Sequence, residues 1–258
     1  MVFYHTINPV ITSIGPFEIR YYGLIYALGF IMAYLMMSYF AKRKLIDLGK
    51  NEISDMLVYV IIGTLVGARL FYIFIYNSGY YFAHPIEIFS VWLGGLSFHG
   101  GLVGAVIGGY LFWRKRKFDF WNVADLAMVP LALGLCFGRI GNFINGELYG
   151  RVTSLPWGVM FSGADGFRQP SQLYEAMKNL MIFTVLWFLK DRKMPKGFMF
   201  FTFITMYGTL RFLIEFTRQP DSQIGFVVLN LSMGQLLCLP MIVIGSFMLV
   251  RIWRKKHI

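Results

Sequence analysis

The sequence predicts an all-α integral membrane protein: a bundle of seven transmembrane helices in a single multi-pass domain over residues 1–258, with a small outer-face (periplasmic) loop region at 142–170. Three observations predict it. The chain is 57% hydrophobic and only 14% charged, where an ordinary soluble domain carries about 25% charged residues. Seven apolar stretches each approach the roughly 20 residues that a helix needs to cross about 30 Å of hydrocarbon. The basic residues gather in alternate connections, which is the positive-inside pattern.

The elements follow in order. The opening MVFYHTINPVITSIGPFEIR has no basic region leading into a continuous apolar core, and Pro9, Gly15 and Pro16 interrupt it. It therefore reads as a structured leader at the interface and not as a cleaved signal peptide. Helices are expected near 21–41, 54–76, 96–113, 122–141, 171–189, 197–217 and 232–253. Lys42, Arg43, Lys44 and Lys50 follow the first; Arg114, Lys115, Arg116 and Lys117 follow the third. Lys190, Arg192, Lys193 and Lys196 follow the fifth, and Arg251, Arg254, Lys255 and Lys256 close the chain, so these groups hold sixteen of the 24 Lys and Arg. That places the C-terminus in the cytoplasm and the N-terminus outside, as seven crossings require. Anionic headgroups at the inner surface account for the net charge of +11, and no nucleic-acid partner is expected. Cys136 and Cys238 fall inside apolar helices, where small buried thiols are expected and no disulfide or metal site. The glycine pairs Gly63/Gly67, Gly104/Gly108 and Gly134/Gly138 are each spaced four apart, which suits close helix packing in lipid.

Eight basic residues remain: Arg20, Arg69, Arg139, Arg151, Arg168, Lys178, Arg211 and Arg218. Most map to the outer half or outer ends of helices. A charge near the bilayer centre costs on the order of 2.5–3.5 kcal/mol on insertion scales, so such residues have a partner or a task. In YGTLRFLIEFTRQPD, Tyr207, Arg211, Glu215 and Arg218 recur on one helix face near its outer end. Arg139 stands near the outer end of its own helix, in GRIGNFINGELYGR, where glycines allow close approach and Asn142, Asn145, Glu147 and Arg151 supply hydrogen bonds. Guanidiniums converging there make a clamp for a phosphate, whose oxygens their planar forks bind bidentately. Ser97 is an expected N-cap, placing His99 in the first turn of the next helix at the outer side, with Gly100 and Gly101 leaving the backbone accessible. These features point to a site facing a phospholipid.

Four stretches, FHGGLVG, GRIGNFINGELYGR, RQPSQLYE and RFLIEFTRQPD, together resemble the phosphatidylglycerol–prolipoprotein diacylglyceryl transferases of bacteria, and the resemblance covers essentially the whole chain. It implies transfer of diacylglyceryl from phosphatidylglycerol to the thiol of the lipobox cysteine in a preprolipoprotein signal peptide, giving a thioether and glycerol 1-phosphate. It implies a multi-pass protein of the bacterial cytoplasmic (inner) membrane, active toward the outer leaflet, among membrane lipids, as a monomer and without a cofactor. Carried over residue by residue, its important positions are Tyr22, His99, Arg139, Asn142, Glu147, Gly150, Tyr207, Arg211, Glu215 and Arg218. Two features depart from the pattern: Arg168, Gln169 and Pro170 stand where many members have RHP, and the loop VMFSGADGFRQP is short.

The implied reaction is displacement at a glycerol carbon, with sulfur attacking and a phosphate monoester leaving. The thiolate is the nucleophile, and charge gathers on the departing phosphate, which fixed guanidiniums stabilise. On this reading Arg139 and Arg211 hold the phosphate, Glu147, Asn142 and Arg218 orient them, and His99 or Tyr22 assists thiol deprotonation. A lipid flippase or transporter would call for matching broken helices in two halves, and the sequence has none. A purely structural protein would tolerate paired loss of Arg211 and Glu215. No HExxH, Walker A or GxSxG pattern is present, and no aspartate cluster suits a metal-dependent phosphotransferase.

Overall fold

Among the described residues the chain forms eight α-helices: α1 (Tyr21–Lys42), α2 (Lys50–Phe71), α3 (Ser78–Ala83), α4 (Phe98–Arg116), α5 (Phe120–Asn145), α6 (Ser171–Leu189), α7 (Phe198–Glu215) and α8 (Met233–Lys256). The computed structural model describes residues 3–15, 17–90, 94–219, 226–228 and 231–256. Pro16 of the leader, and Pro220 and Asp221 at the end of RFLIEFTRQPD, lie outside the described residues. All seven expected stretches are helical, with ends shifted by a few residues. α2 continues through a π-helical turn at Tyr72–Tyr76 before the short α3 and a 3-10 turn at Pro85–Phe89, neither of which the sequence reading anticipated.

Local chemistry sets the ends. Glu52 reaches back to accept from the Gly49 amide at 2.9 Å, closing the first turn of α2. Ser97 caps α4 as expected, accepting from the Gly100 amide at 3.3 Å, and α4 stops at Lys117 in the left-handed region, φ 54°. The first turn of α7 is capped from another helix. Buried Asp125 of α5 accepts from the amides of Gly197 and Phe200, each at 2.8 Å. α5 and α8 continue through Pro130 and Pro240.

Among the described residues, five helical segments are long and apolar enough to cross a membrane: Tyr21–Lys42, Lys50–Tyr76, Phe120–Asn145, Phe198–Glu215 and Met233–Lys255. α4 and α6 fall outside that set, α4 because its last turn is Arg114, Lys115 and Arg116, α6 because it carries Gln172, Glu175, Lys178 and Asn179.

The chain divides into two compact units, Met1–Met36 with Trp121–Ile258, and Met37–Phe120. In the second, α2 packs on α4 through glycines. A methyl group on Gly67 would fall 2.8 Å from the Cα of Gly104, and one on Gly104 3.0 Å from the Cα of Gly67, so only hydrogen fits. In the same unit Arg69, 5% exposed, donates to the carbonyls of Glu87, Ile88, Ser90, Gly94 and Gly95. It thereby organises the chain leading into α4, and its guanidinium lies 5.0 Å from the centre of the Tyr81 ring.

In the first unit α1 approaches α5 where Gly29 meets Gly134, and Tyr22 packs on Gly141. α7 packs on α8 at Gly208 and Gly245. Short strands, also unanticipated, decorate this helical unit. β1 (Phe3–Tyr4) pairs in parallel with β4 (Val159–Met160); β2 (Val10–Ile14) and β3 (Phe17–Arg20) form an antiparallel hairpin, as do β5 (Phe226–Val228) and β6 (Leu231–Ser232). Cys136 and Cys238 are free and buried.

α6 is inside out. Its buried residues include Gln172, Glu175, Lys178 and Asn179, while Met177, Leu180, Met181 and Phe188 are exposed. In water that arrangement would be unstable; beside lipid it is the expected one.

Candidate functional site

The site assembles at one end of the first unit, from the C-terminal turns of α5 and α7 and the first turns of α6 and α8. At its centre is Glu175, whose side chain is 0% exposed. Its Oε1 accepts from Nη1 of Arg211 at 2.7 Å and its Oε2 from Nζ of Lys178 at 2.7 Å. Nε of Arg139 stands 3.7 Å from Oε2, beyond hydrogen-bond range, and the Arg139 side chain keeps 21% exposure. One turn along α7, Glu215 Oε2 pairs with Arg211 at 2.6 Å and lies 3.4 Å from Nε of Arg218. Its Oε1 accepts from Ser232 Oγ at 2.9 Å, and a side chain on Gly234 would collide with that same oxygen at 2.7 Å. Nζ of Lys178 rests 3.7 Å from the centre of the Tyr207 ring.

The charges do not balance. Arg139, Lys178, Arg211 and Arg218 face Glu175 and Glu215, four cations against two anions, a formal surplus of two positive charges. Nη1 of Arg218 is buried without a hydrogen-bond partner among the described residues. Burial first, then the Arg211 and Arg139 guanidiniums, push Arg218 below the ordinary arginine value. An added anion would relieve both conditions.

The loop after α5 is fixed around this cluster. Glu147 Oε1 accepts from Nδ2 of Asn142 at 2.8 Å and of Asn145 at 3.2 Å. Gln172 and Ser171, at the start of α6, donate to the carbonyls of Glu147 and Leu148. Gly150 bonds to the Gln169 carbonyl at 2.8 Å and bridges to Arg218, and a methyl there would sit 2.9 Å from that carbonyl oxygen, so glycine serves close backbone approach. Arg151 donates to the Arg218 carbonyl at 2.8 Å, tying loop to helix. The Tyr22 hydroxyl is 3.0 Å from that of Tyr26.

Of the residues expected from sequence, Arg139, Tyr207, Arg211, Glu215 and Arg218 join one ion cluster, and Asn142, Glu147 and Gly150 form the loop beside it. Tyr22 packs on the helix that carries Arg139. His99 stands where expected in the first turn of α4, exposed and edge-on to Phe98 at 5.8 Å, and belongs to the second unit. Sequence reasoning missed the centre of the cluster, Glu175, along with Lys178, Ser232 and Gly234 as members. The available signal was the polar stripe at positions 172, 175, 178 and 179 within an apolar helix.

A family model described as "Prolipoprotein diacylglyceryl transferase" matches residues 9–251. Curated proteins named phosphatidylglycerol–prolipoprotein diacylglyceryl transferase align along nearly the whole chain. One from Geobacter sulfurreducens is 46% identical over 252 residues, 97% of this chain and 97% of its own length. One from Nitratidesulfovibrio vulgaris is 42% identical over 256 residues, 96% of each, and one from Coxiella burnetii 41% identical over 260 residues, 100% of each. The family match and the whole-length identity agree, and the chain belongs to the prolipoprotein diacylglyceryl transferase family.

Proposed function

We propose that this chain, as a transferase of that family, moves the diacylglyceryl group of phosphatidylglycerol to the thiol of a prolipoprotein cysteine, the first step of lipoprotein maturation, and that the cluster around Glu175 holds the phosphate. The sulfur attacks the terminal glycerol carbon, a C–S bond forms, and the C–O bond to phosphate breaks. The phosphodiester carries one negative charge and the departing glycerol 1-phosphate gathers a second. The cluster's surplus of two positive charges carries this reading, since it matches the developing dianion better than the resting diester and so favours the transition state.

Arg139, the more open guanidinium, and Arg211 hold the phosphate. Arg218 offers its unpartnered edge, and Asn142 with Glu147 holds the loop that shapes the pocket wall. His99 or Tyr22 assists thiol deprotonation. The protein acts as a monomer in the bacterial inner membrane, with all seven long helices crossing it and the C-terminus cytoplasmic. The cluster lies at the helix ends opposite the basic groups at 190–196 and 251–256, which supports an outer-leaflet site.

The test is transfer of labelled diacylglyceryl from phosphatidylglycerol in detergent to a synthetic lipobox peptide. Thioether product is expected with the native chain, and loss of it with Arg139→Ala and with a Cys-to-Ser peptide. Near-normal turnover of Arg139→Lys would refute bidentate phosphate binding there. Substantial activity of His99→Gln at neutral pH would demote His99 to a structural donor.

A further inference from the structure

Glu175 and Lys178 sit one turn apart on α6 with side chains 0% and 1% exposed. Neither can touch a lipid phosphate directly, because both side chains are buried and their polar ends are turned to each other and to neighbouring side chains. Glu175 Oε1 is bound by Arg211 and Oε2 by Lys178, whose ammonium also lies on the Tyr207 ring. Their influence must pass through the guanidiniums.

We propose that Glu175 and Lys178 are positioning residues that set the charge of the phosphate site: Glu175 orients Arg211 and Arg139, and Lys178 neutralises Glu175 so that phosphate meets two uncompensated positive charges and not one. The proposal rests on the phosphate reading above. The geometry supports it in two ways. Oε2 is the oxygen that faces Arg139, and while Lys178 occupies it at 2.7 Å, Arg139 stays 3.7 Å away. Without the ammonium, that carboxylate oxygen would turn to Arg139 and compete with the lipid for it. The count of charges adds the second argument. Removing Lys178 alone leaves three cations against two anions, whereas removing both charges of the pair leaves three against one and restores the native surplus of two.

The experiment measures KM for phosphatidylglycerol, as mole fraction in detergent micelles, and kcat, for Lys178→Met, for Glu175→Gln/Lys178→Met and for Arg139→Lys, with thermal melting to verify folding. Lys178→Met is expected to raise KM about ten-fold through the lost charge. The double variant is expected to return KM to within about two-fold of native while kcat stays about ten-fold low, because the forks are no longer held in place. A merely structural ion pair would move melting temperature and leave KM and kcat native in Lys178→Met and in the double variant, and that result overturns the proposal. So does a double variant whose KM is no better than that of Lys178→Met. If Lys178→Met does not fold, the double variant decides alone: native KM with reduced kcat supports the proposal, and native kcat or raised KM overturns it. Arg139→Lys separates the two levels. Native kinetics there sink the phosphate reading itself, whereas an impaired Arg139→Lys beside a native Lys178→Met sinks only the role of the pair.

Discussion

Replacing Arg211 by lysine separates charge from geometry at the site. Nη1 of Arg211 alone serves both carboxylates, Glu175 at 2.7 Å and Glu215 at 2.6 Å. The rest of the fork is therefore what can turn toward phosphate. A lysine keeps the surplus of two charges but has one nitrogen, which the two carboxylates would capture. The expected cost is that of one fixed donor to a developing oxyanion, about 10²–10³ in kcat or about 2.7–4 kcal/mol. KM for phosphatidylglycerol should stay within about three-fold, since the attraction for the resting diester is mostly one of charge. The assay is peptide thioether formation against phosphatidylglycerol mole fraction, with the lipobox peptide saturating. A folded Arg211→Lys enzyme turning over within about five-fold of native would refute the argument and leave Arg211 as a bare counter-charge.

Two further outcomes test the scaffold. Asp125→Ala removes a buried carboxylate that accepts from the amides of Gly197 and Phe200, so it should lose about 2–4 kcal/mol, two charge-assisted bonds at about 1–2 kcal/mol each. Denaturant titration in detergent would measure this, and an unchanged midpoint would remove Asp125 as the cap of α7. Gly104→Leu places a branched side chain where even a methyl meets the Cα of Gly67 at 3.0 Å, and should abolish recovery of folded protein, whereas Gly109→Ala, in open space on the same helix, should purify and melt like the native chain.

The long helices were legible because lipid imposes one simple rule, apolar length, which five of the seven runs obey outright, while α4 and α6 fall short of it through their charged and polar residues. The glycine pairs were legible for the same reason, since close packing needs small residues at fixed spacing. What escaped lay where a residue acts out of its usual role. Asp125, close to the basic end of its helix, gave no sign of capping a helix about seventy residues later in the chain. Glu175 and Lys178, three apart, have the spacing of an ordinary surface pair, and only the exposed Met177, Leu180 and Met181 beside them on the same helix reveal that polarity faces inward. The short strands and α3 are two to six residues long, too brief for any periodicity to register. Arg69 illustrates the remaining gap. Its depth was readable as a demand for partners, but five backbone carbonyls left no trace in side-chain patterns.

The inverted polarity of α6 also bears on how the chain enters the membrane. In the proposed seven-span arrangement, this helix on its own would expose a carboxylate and an ammonium to hydrocarbon, each at a cost of about 2.5–3.5 kcal/mol. The one-turn spacing lets Glu175 and Lys178 neutralise each other within a single segment during synthesis. α5 is then already present with Arg139, and Arg211 follows only when α7 emerges. The order of helices along the chain thus delivers the self-neutralised pair first and the last guanidinium to reach Glu175 after it, so the surplus charge of the finished site is assembled without any one helix carrying it into the bilayer.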